Sequence, residues 1–267
     1  LGVLLLLLTS FRDDRSPISS KLRLAVQAGI AFLIFATGSR IYTLTNPMDV
    51  GSFIKLDTID ITTSLFGPLP LLSGIFTIVW LMITINALNW FDGIPGQVNM
   101  LSTIGFLTIG ILSMSTRVNQ PELAVIAFIL CAVALASLCF DFPPNKVLSG
   151  DTGAMFFGLM LGVLTIYSGG KVATAFLVLG VPLIDLFLVI IHRIRKGKSP
   201  FAGNTTDEHL HHRLRSKGWT DRQIIVLTGL LGTTFGITAL FLTTGGKFIA
   251  AGILFGIMVA LSVYTKK

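Results

Sequence analysis

Long apolar runs recur along the chain and alternate with short polar stretches. A helix that crosses a bilayer needs about 20 mostly apolar residues, and seven complete runs of this kind can be placed, followed by an eighth. The predicted spans are residues 24–43, 69–86, 99–116, 121–140, 152–168, 172–192, 222–242 and 248–264. This pattern predicts an all-α fold, a polytopic transmembrane helical bundle of about eight complete spans.

The beginning of the chain is apolar but too short to cross a bilayer. Because residue 1 is Leu rather than Met, we interpret residues 1–10 as the end of a helix whose beginning is missing. A signal peptide is the alternative, although the run lacks a basic segment before it and a cleavage site of small residues after it. We expect one transmembrane domain over residues 1–267 that lacks its N-terminal helices.

On the outer side of the predicted bundle, the connections are short except for residues 44–67. This segment contains turn-forming Pro and Gly residues and a loosely alternating stretch from Ile54 to Asp57. These features predict a small hairpin outside the membrane.

The composition agrees with a membrane location, since 52% of the residues are hydrophobic and only 12% are charged, against roughly 25% charged in a soluble domain. Fifteen of the 20 Lys and Arg residues lie on one side of the predicted bundle. This side is predicted to be cytoplasmic, because positive residues near helix ends are retained there. The topology explains the net charge of +7. Nucleic acid is not an expected partner, because aromatic residues do not alternate with the basic ones.

Two adjacent carboxylates follow the first apolar run, in the sequence Arg12-Asp13-Asp14-Arg15. Adjacent carboxylates repel each other unless a cation neutralises them, and such a pair can act as metal ligand and general base. The alternative is a solvated loop that its own flanking arginines neutralise.

A second polar group ends the predicted span 69–86, where Asn86, Asn89, Asp92, Gly93 and Gly96 follow one another closely. The amides and the carboxylate are ligand groups, and the glycines let the backbone approach phosphates. A helix end finished by a Gly turn explains the glycines but not the two Asn and the Asp.

Asp151 stands immediately before another apolar run, in the stretch Ser149 to Ala154. It is either an ordinary helix N-cap or a metal ligand. Mg²⁺ is usually held by one or two carboxylates together with phosphate oxygens of a substrate. Asp92 and Asp151 together would supply such a pair.

Three of the four histidines lie within the sequence His209-Leu210-His211-His212-Arg213-Leu214. A Zn²⁺ site is one interpretation, but no Cys and no H-E-x-x-H pattern accompanies these residues. Imidazoles beside arginines are better suited to bind an anion such as a diphosphate. A solvated loop with histidines at random positions is the alternative.

Read in order, these motifs resemble the polyprenyl-phosphate N-acetylhexosamine-1-phosphate transferase family over nearly the whole chain. The matching stretches are DDR at 13–15, NALNWFDG at 86–93, FPPNKVLSGDTG at 142–153, P-x-x-D from Pro182 to Asp185, and HLHHRL at 209–214. The resemblance implies a Mg²⁺-dependent reaction, with Mn²⁺ as the alternative ion. In it a polyprenyl phosphate attacks the β-phosphate of a UDP-sugar, giving polyprenyl-diphosphate-sugar and UMP at the cytoplasmic helix ends.

The resemblance also implies a role for each matching residue. The implied residues are catalytic Asp13, Asp14 and Asp92, metal-binding Asp151 and Asp92, and substrate-binding Asn86, Asn89, His209, His211, His212 and Arg213. The form of the histidine motif is similar to that of the branch using UDP-GlcNAc, and phospho-MurNAc-pentapeptide transfer is the alternative. Two positions depart from the family pattern, Pro95 in place of a second Asp and Asp141 in place of an Asn.

A protein of another class, a secondary transporter, also has many spans and a few acidic residues in the membrane. Its acidic residues are expected near the middle of the bilayer on broken helices. The acidic residues of this chain cluster at one predicted face, which favours the transferase. The expected partners are polyprenyl phosphate, a UDP-sugar and the membrane, and a homodimer is left open.

Overall fold

A computed structural model describes residues 1–46, 49, 51–168, 176–200 and 208–265. The described residues are mostly helical and form ten helices. These are α1 Gly2–Arg15, α2 Ser20–Ala36, α3 Leu71–Phe91, α4 Gln97–Met114, α5 Pro121–Asp141, α6 Gly150–Tyr167, α7 Gly180–Arg195, α8 Leu210–Ser216, α9 Asp221–Phe241 and α10 Thr244–Tyr264.

Six of these helices are long and apolar enough to cross a membrane, namely α3, α4, α5, α6, α9 and α10. The chain is therefore a multi-pass membrane protein, as the sequence predicted. Of the other two predicted spans, 24–43 corresponds to α2, which has only 17 residues. The span 172–192 begins outside the described residues and continues as α7. The count of eight stays a prediction.

Local sequence signals explain where several helices begin. The Ser19 hydroxyl accepts a hydrogen bond of 3.3 Å from the Leu22 amide at the start of α2. Thr220 and Gln223 form a capping box at the start of α9, each side chain bonding the other residue's backbone. Such caps satisfy amide groups that have no partner within the helix. Gly96 turns the chain into α4 with a φ of +84°, a conformation that favours glycine.

The connection between α2 and α3 contains two small antiparallel hairpins. Strand β1 (Thr43–Thr45) pairs with β2 (Phe53–Lys55), and β3 (Asp60–Thr63) pairs with β4 (Gly67–Pro70). The predicted hairpin is thus present, together with a second one that the alternation did not indicate.

Helices α3 and α6 pack closely because two glycines of α6 face α3. A Cβ at Gly158 would lie 2.7 Å from the carbonyl oxygen of Thr84, and a Cβ at Gly162 would lie 2.4 Å from the Thr84 hydroxyl. Trp80 supports the same contact by donating its indole N–H to the Gly162 carbonyl at 3.2 Å. Small residues at helix crossings allow such close approach. The end of α3 is thereby placed beside the beginning of α6.

The ends of several helices meet at one end of the bundle, which we call the polar end. Asp14 at the end of α1 contacts Thr152 at the start of α6. His211 of α8 lies against Gly93, just after α3. The polar end therefore brings together four segments that are far apart in the sequence.

Candidate active site

Asp13 ties the end of α1 to the start of α2. Its Oδ1 accepts a hydrogen bond of 2.8 Å from the Ile18 amide, and its Oδ2 accepts one of 3.1 Å from Nη1 of Arg23. The side chain is buried. Since both carboxylate oxygens already have partners, Asp13 holds the local structure together, and its predicted catalytic role stays a prediction.

Asp14 points towards α6 and is exposed. Its Oδ2 accepts a hydrogen bond of 2.6 Å from the Thr152 hydroxyl and lies 3.4 Å from the Thr152 amide nitrogen. Nη1 of Arg23 lies 3.7 Å from Oδ2 of Asp151 as well as bonding Asp13. The structure thus brings Asp13 and Asp151 together around one arginine, and Asp14 lies beside them through its contact with Thr152.

Asp92 follows the last residue of α3 and faces other carboxylates. Burial raises the pKa of Asp92 to about 8, and repulsion from Asp141, Asp151 and Asp14 adds to the shift. The amide of Asn89 approaches Asp151 closely enough to interact with its carboxylate, although no hydrogen bond of standard geometry joins them. We call Asp14, Asp92 and Asp151 the aspartate cluster.

Asp141, one of the two departures from the family pattern, is buried at the end of α5. Its Oδ2 accepts hydrogen bonds from the Gly96 amide at 2.9 Å and from Nδ2 of Asn99 at 2.6 Å. Ser149 also donates to it at 3.4 Å. This carboxylate connects α4, α5 and the segment before Asp151, so its immediate role is to position the loop that carries the cluster.

The two predicted asparagines face different neighbours. Nδ2 of Asn86 donates to Oε1 of Gln27 at 2.7 Å and to the Met82 carbonyl at 2.8 Å, so it joins α3 to α2. Asn89, nearly one turn later, lies beside Asp151 in the cluster. Of the two, Asn89 is therefore the one beside the candidate site.

The histidine segment, residues 209–213, is held in the bundle by a buried carboxylate of α7. Oδ2 of Asp185 lies 2.9 Å from Nδ1 of His209, and Oδ1 accepts a hydrogen bond of 2.9 Å from the Leu210 amide. Asp185 and His209 are both buried. A carboxylate at this position favours a proton on Nδ1. Nε2 of His209 has no hydrogen-bond partner among the described residues.

His211 lies over the end of α3. Its ring stacks on that of His209 at 5.6 Å and meets Phe91 edge-on at 5.8 Å. A Cβ at Gly93 would lie only 1.9 Å from Nε2 of His211, so the ring occupies space that glycine leaves open. Burial lowers the pKa of His211 to about 3, which keeps the ring neutral. Neither ring nitrogen has a partner among the described residues.

The next two residues lie on the α10 side of α8, although the rings of His211 and His212 are only 4.2 Å apart. Arg213 donates from Nη1 to the carbonyl and hydroxyl of Ser262 at 3.2 and 3.1 Å, and from Nη2 to the same hydroxyl at 3.1 Å. His212 and Arg213 line a separate cavity beside α10. Their predicted roles as diphosphate ligands stay predictions, since the guanidinium of Arg213 is directed towards α10.

No set of three His, Cys, Asp or Glu side chains among the described residues is arranged to hold a metal ion. The aspartate cluster nevertheless has the donor chemistry that Mg²⁺ requires, because it supplies carboxylate oxygens and lacks a neutralising charge at Asp92. Mg²⁺ commonly takes its remaining ligands from water and from substrate phosphates. Asp92 and Asp151 therefore fit the predicted metal-binding role.

Sequence reasoning missed some residues that organise this site. Arg23 bonds Asp13 and lies near Asp151, and the signal for it was a lone arginine at the edge of the first predicted span. Asp185 was recognised only as part of a motif, and its pairing with His209 was not predicted. A buried acidic residue within an apolar run does signal a partner.

Most of the chain is similar to known proteins. Residues 1–169 match glycosyl transferase family 4. The chain is 27% identical over 98% of its length to a Bacillus subtilis protein named as a probable undecaprenyl-phosphate N-acetylglucosaminyl 1-phosphate transferase. It is 30% identical over 82% of its length to the undecaprenyl-phosphate alpha-N-acetylglucosaminyl 1-phosphate transferase of Escherichia coli K12. The chain spans 70% of the Bacillus protein and 58% of the Escherichia coli protein.

Proposed function

The chain belongs to glycosyl transferase family 4, and from this premise we propose that it transfers N-acetylglucosamine 1-phosphate from UDP-GlcNAc to a membrane polyprenyl phosphate. The products are polyprenyl-diphosphate-GlcNAc and UMP, in the first membrane step of a cell-wall or surface polysaccharide. The observation that carries this proposal is the aspartate cluster at the ends of membrane helices, next to buried histidines with ring nitrogens that lack partners among the described residues. The names of the relatives support the choice of sugar.

The histidine segment is proposed to bind the diphosphate of the UDP-sugar. Neutral His211 offers one ring N–H to an anion. His209 presents its Nε2 without a partner among the described residues, while its Nδ1 lies 2.9 Å from the Asp185 carboxylate. The diphosphate is thereby held at the end of α3.

The phosphate of the lipid acceptor is proposed to lie near the aspartate cluster, on the side of Asp14. Asp14 is the exposed member of the predicted pair and reaches α6 through Thr152. The isoprenoid chain belongs in hydrocarbon while its phosphate stays at the interface. A site at the ends of membrane helices satisfies both requirements. We place this end on the cytoplasmic side of the cell membrane, where most of the Lys and Arg residues would lie.

Mg²⁺, or Mn²⁺ in its place, would be held by Asp92 and Asp151 and would neutralise charge on the diphosphate and on the developing transition state. Phosphoryl transfer depends mainly on positioning and on charge neutralisation. The residues of this chain supply the positioning: Asp13 with Arg23 fixes the end of α1, and Asp185 fixes the histidine segment. Asn89 lies beside Asp151 and is proposed to orient its carboxylate.

The alternatives make different demands on the same site. A phospho-MurNAc-pentapeptide transferase would share the cluster and differ in the donor, and the named relatives favour GlcNAc. A transporter would need its acidic residues near the middle of the bilayer. Asp14, Asp92 and Asp151 instead stand at helix ends. A homodimer stays a prediction.

The proposal is tested by measuring UMP release from UDP-GlcNAc in membranes that contain the protein. Polyprenyl phosphate and Mg²⁺ are added separately and together, and UDP-MurNAc-pentapeptide is the competing donor. Release that requires both additions and prefers UDP-GlcNAc supports the proposal. Preference for the pentapeptide donor would identify the chain as a phospho-MurNAc-pentapeptide transferase. No UMP release with either donor would refute the proposed activity.

A further inference from the structure

A cavity of about 650 Å³ lies at the polar end between α7, α8 and α10. Its apolar wall includes Leu188 and Ile191 of α7 and Val259 of α10. Ligand sites in proteins commonly have volumes of about 300–1,000 Å³. The cavity is therefore large enough for a lipid headgroup and the first part of its chains.

This cavity is separate from the aspartate cluster. The aspartate cluster is built from α1, α3 and α6, and none of its members lines the cavity. Helix α8 links the two regions, because His211 faces Gly93 while His212 and Arg213 line the cavity. Asp14 does not line the cavity.

The charges around the cavity favour an anion. Arg195, Lys196 and Arg213 line it, and the one acidic residue among its described lining residues is Glu208. Glu208 is already paired with two other cations, Arg193 and Lys198. The cavity lining therefore carries three Arg and Lys residues against one carboxylate.

Arg213 is fixed in an orientation suited to a ligand. Three hydrogen bonds to Ser262 hold the two terminal nitrogens of its guanidinium. Its Nε is buried and has no hydrogen-bond partner among the described residues. A buried donor without a partner is costly, and Arg213 is one of the residues that line the cavity.

Several lining residues of the cavity are exposed at the surface of the bundle. Val263 of α10 is 61% exposed, and Arg195 and Lys196 are exposed as well. The cavity thus combines an apolar wall with exposed basic residues, which suits a ligand that carries both apolar chains and an anionic group.

We propose that this cavity is a binding site for one anionic phospholipid of the surrounding leaflet. Its phosphodiester is bound by Arg195, Lys196 and Arg213, and its chains lie against Leu188 and Val259. A soluble phosphate would leave the apolar wall unused. The polyprenyl phosphate acceptor must present its phosphate to the aspartate cluster, from which the cavity is separate.

The test is native mass spectrometry of the detergent-solubilised protein titrated with phosphatidylglycerol or with phosphatidylcholine. We expect one phosphatidylglycerol to be retained in preference to phosphatidylcholine. Because each basic residue near an anionic surface contributes about 1 kcal/mol, the double variant R195Q/K196Q should bind phosphatidylglycerol roughly tenfold to thirtyfold more weakly. The matched control K146Q/R222Q removes two exposed charges away from the cavity and should bind like the wild type.

A second variant distinguishes binding in the cavity from attraction to the general positive charge of the protein surface. Val259→Trp leaves the charge unchanged but fills the apolar wall, and it should also lose the retained lipid. Equal binding by the wild type and Val259→Trp, or equal loss in the control variant, would overturn the proposal in favour of non-specific attraction to a basic surface. Displacement of the lipid by polyprenyl phosphate at comparable concentration would identify the cavity as an acceptor site instead. None of these outcomes depends on transferase activity.

Discussion

The aspartate cluster and the histidine segment lie at the same end of the bundle but are held in opposite ways. Asp14 and Asp151 are exposed or partly exposed, and repulsion within the cluster raises the pKa of Asp92. His209 and His211 are buried, and Asp185 fixes the segment through two hydrogen bonds of 2.9 Å. The aspartate cluster is thus accessible and destabilised by charge repulsion, whereas the histidine segment is buried and held by fixed hydrogen bonds.

The difference indicates which half of the site changes when ligands bind. A group of carboxylates in mutual repulsion gains stability from any cation that joins it. A buried segment with fixed hydrogen bonds gains little stability when a ligand binds, and its position changes little. We therefore expect metal and acceptor binding to change the aspartate cluster most, and donor binding to use the histidine segment as it stands.

The largest effect is expected from Asp151→Asn. This change removes a proposed metal ligand and keeps the size of the side chain, so transferase activity should fall by about 10³-fold, the scale of several kcal/mol of charge stabilisation. The melting temperature should stay close to that of the wild type, because the change removes one member of a repelling group. Activity is measured as UMP release and stability as thermal unfolding in detergent.

Asp221→Asn is the matched control for this variant. Asp221 also stands in the first turn of a membrane helix, and its carboxylate pairs with Arg215 at 2.6 Å. It should retain nearly full activity. Equal losses in the two variants, or full activity in Asp151→Asn, would remove Asp151 from the site.

A smaller effect is expected from Gly93→Ala, which disturbs the histidine segment rather than the cluster. The new Cβ would lie 1.9 Å from Nε2 of His211, so the ring must move. Displacements of about 1 Å can cost on the order of 10²-fold in rate, and we expect a loss of about 10- to 100-fold that includes a raised KM for UDP-GlcNAc. Steady-state kinetics with varied donor concentration measure both parameters.

Gly252→Ala in α10 is the corresponding control, because among the described residues nothing beyond its chain neighbours and the backbone of its own helix lies within 4 Å of the new Cβ. Alanine is also the better helix former, so this variant should be as active and at least as stable as the wild type. An unchanged KM in Gly93→Ala would show that the position of His211 does not matter for the donor.

The pH dependence of stability distinguishes the two regions without an activity assay. The pKa of Asp92 rises from 3.8 to about 8 on folding, chiefly through burial. Between these two values the folded protein keeps a proton on Asp92 that the unfolded chain has lost. The free energy of unfolding therefore falls as the pH rises through that range. In the presence of EDTA, the melting temperature of the wild type should fall from pH 5 to pH 8, and that of Asp92→Asn should fall less.

Mg²⁺ provides the complementary measurement. A cation that binds only the folded protein stabilises it by mass action, so Mg²⁺ at pH 8 should raise the melting temperature of the wild type but not that of Asp92→Asn. Parallel pH profiles for the two proteins would mean that Asp92 does not carry the extra proton.

The sequence predicted the transmembrane architecture well because hydrocarbon imposes a minimum length on each apolar run. All six helices long enough to cross a membrane coincide with predicted spans. The prediction was weakest at α2 and α7, where the runs are short or carry charge near their ends. Length and composition alone do not determine how such a segment sits in the bundle.

The proximity of Asp92 and Asp151 was anticipated from the predicted topology, but the contacts that set the site were not. Gly158 brings α3 against α6, and Asp185 reaches a histidine that is 24 residues away in the sequence. Such contacts depend on how helices pack rather than on any local pattern. Arg213 illustrates the same limit, because its direction follows from the orientation of α8.

The smallest effect is expected from Ser262→Ala, which weakens the second support of the histidine segment. The hydroxyl of Ser262 accepts from both terminal nitrogens of Arg213, and the Ser262 carbonyl accepts from one of them. Since the carbonyl remains, the free energy of unfolding should fall by only about 1 kcal/mol, with kcat and KM within about twofold of the wild type while Asp185 still holds His209. Chemical denaturation and steady-state kinetics measure these quantities. A loss of activity as large as that of Gly93→Ala would mean that α10, rather than Asp185, sets the position of the histidines.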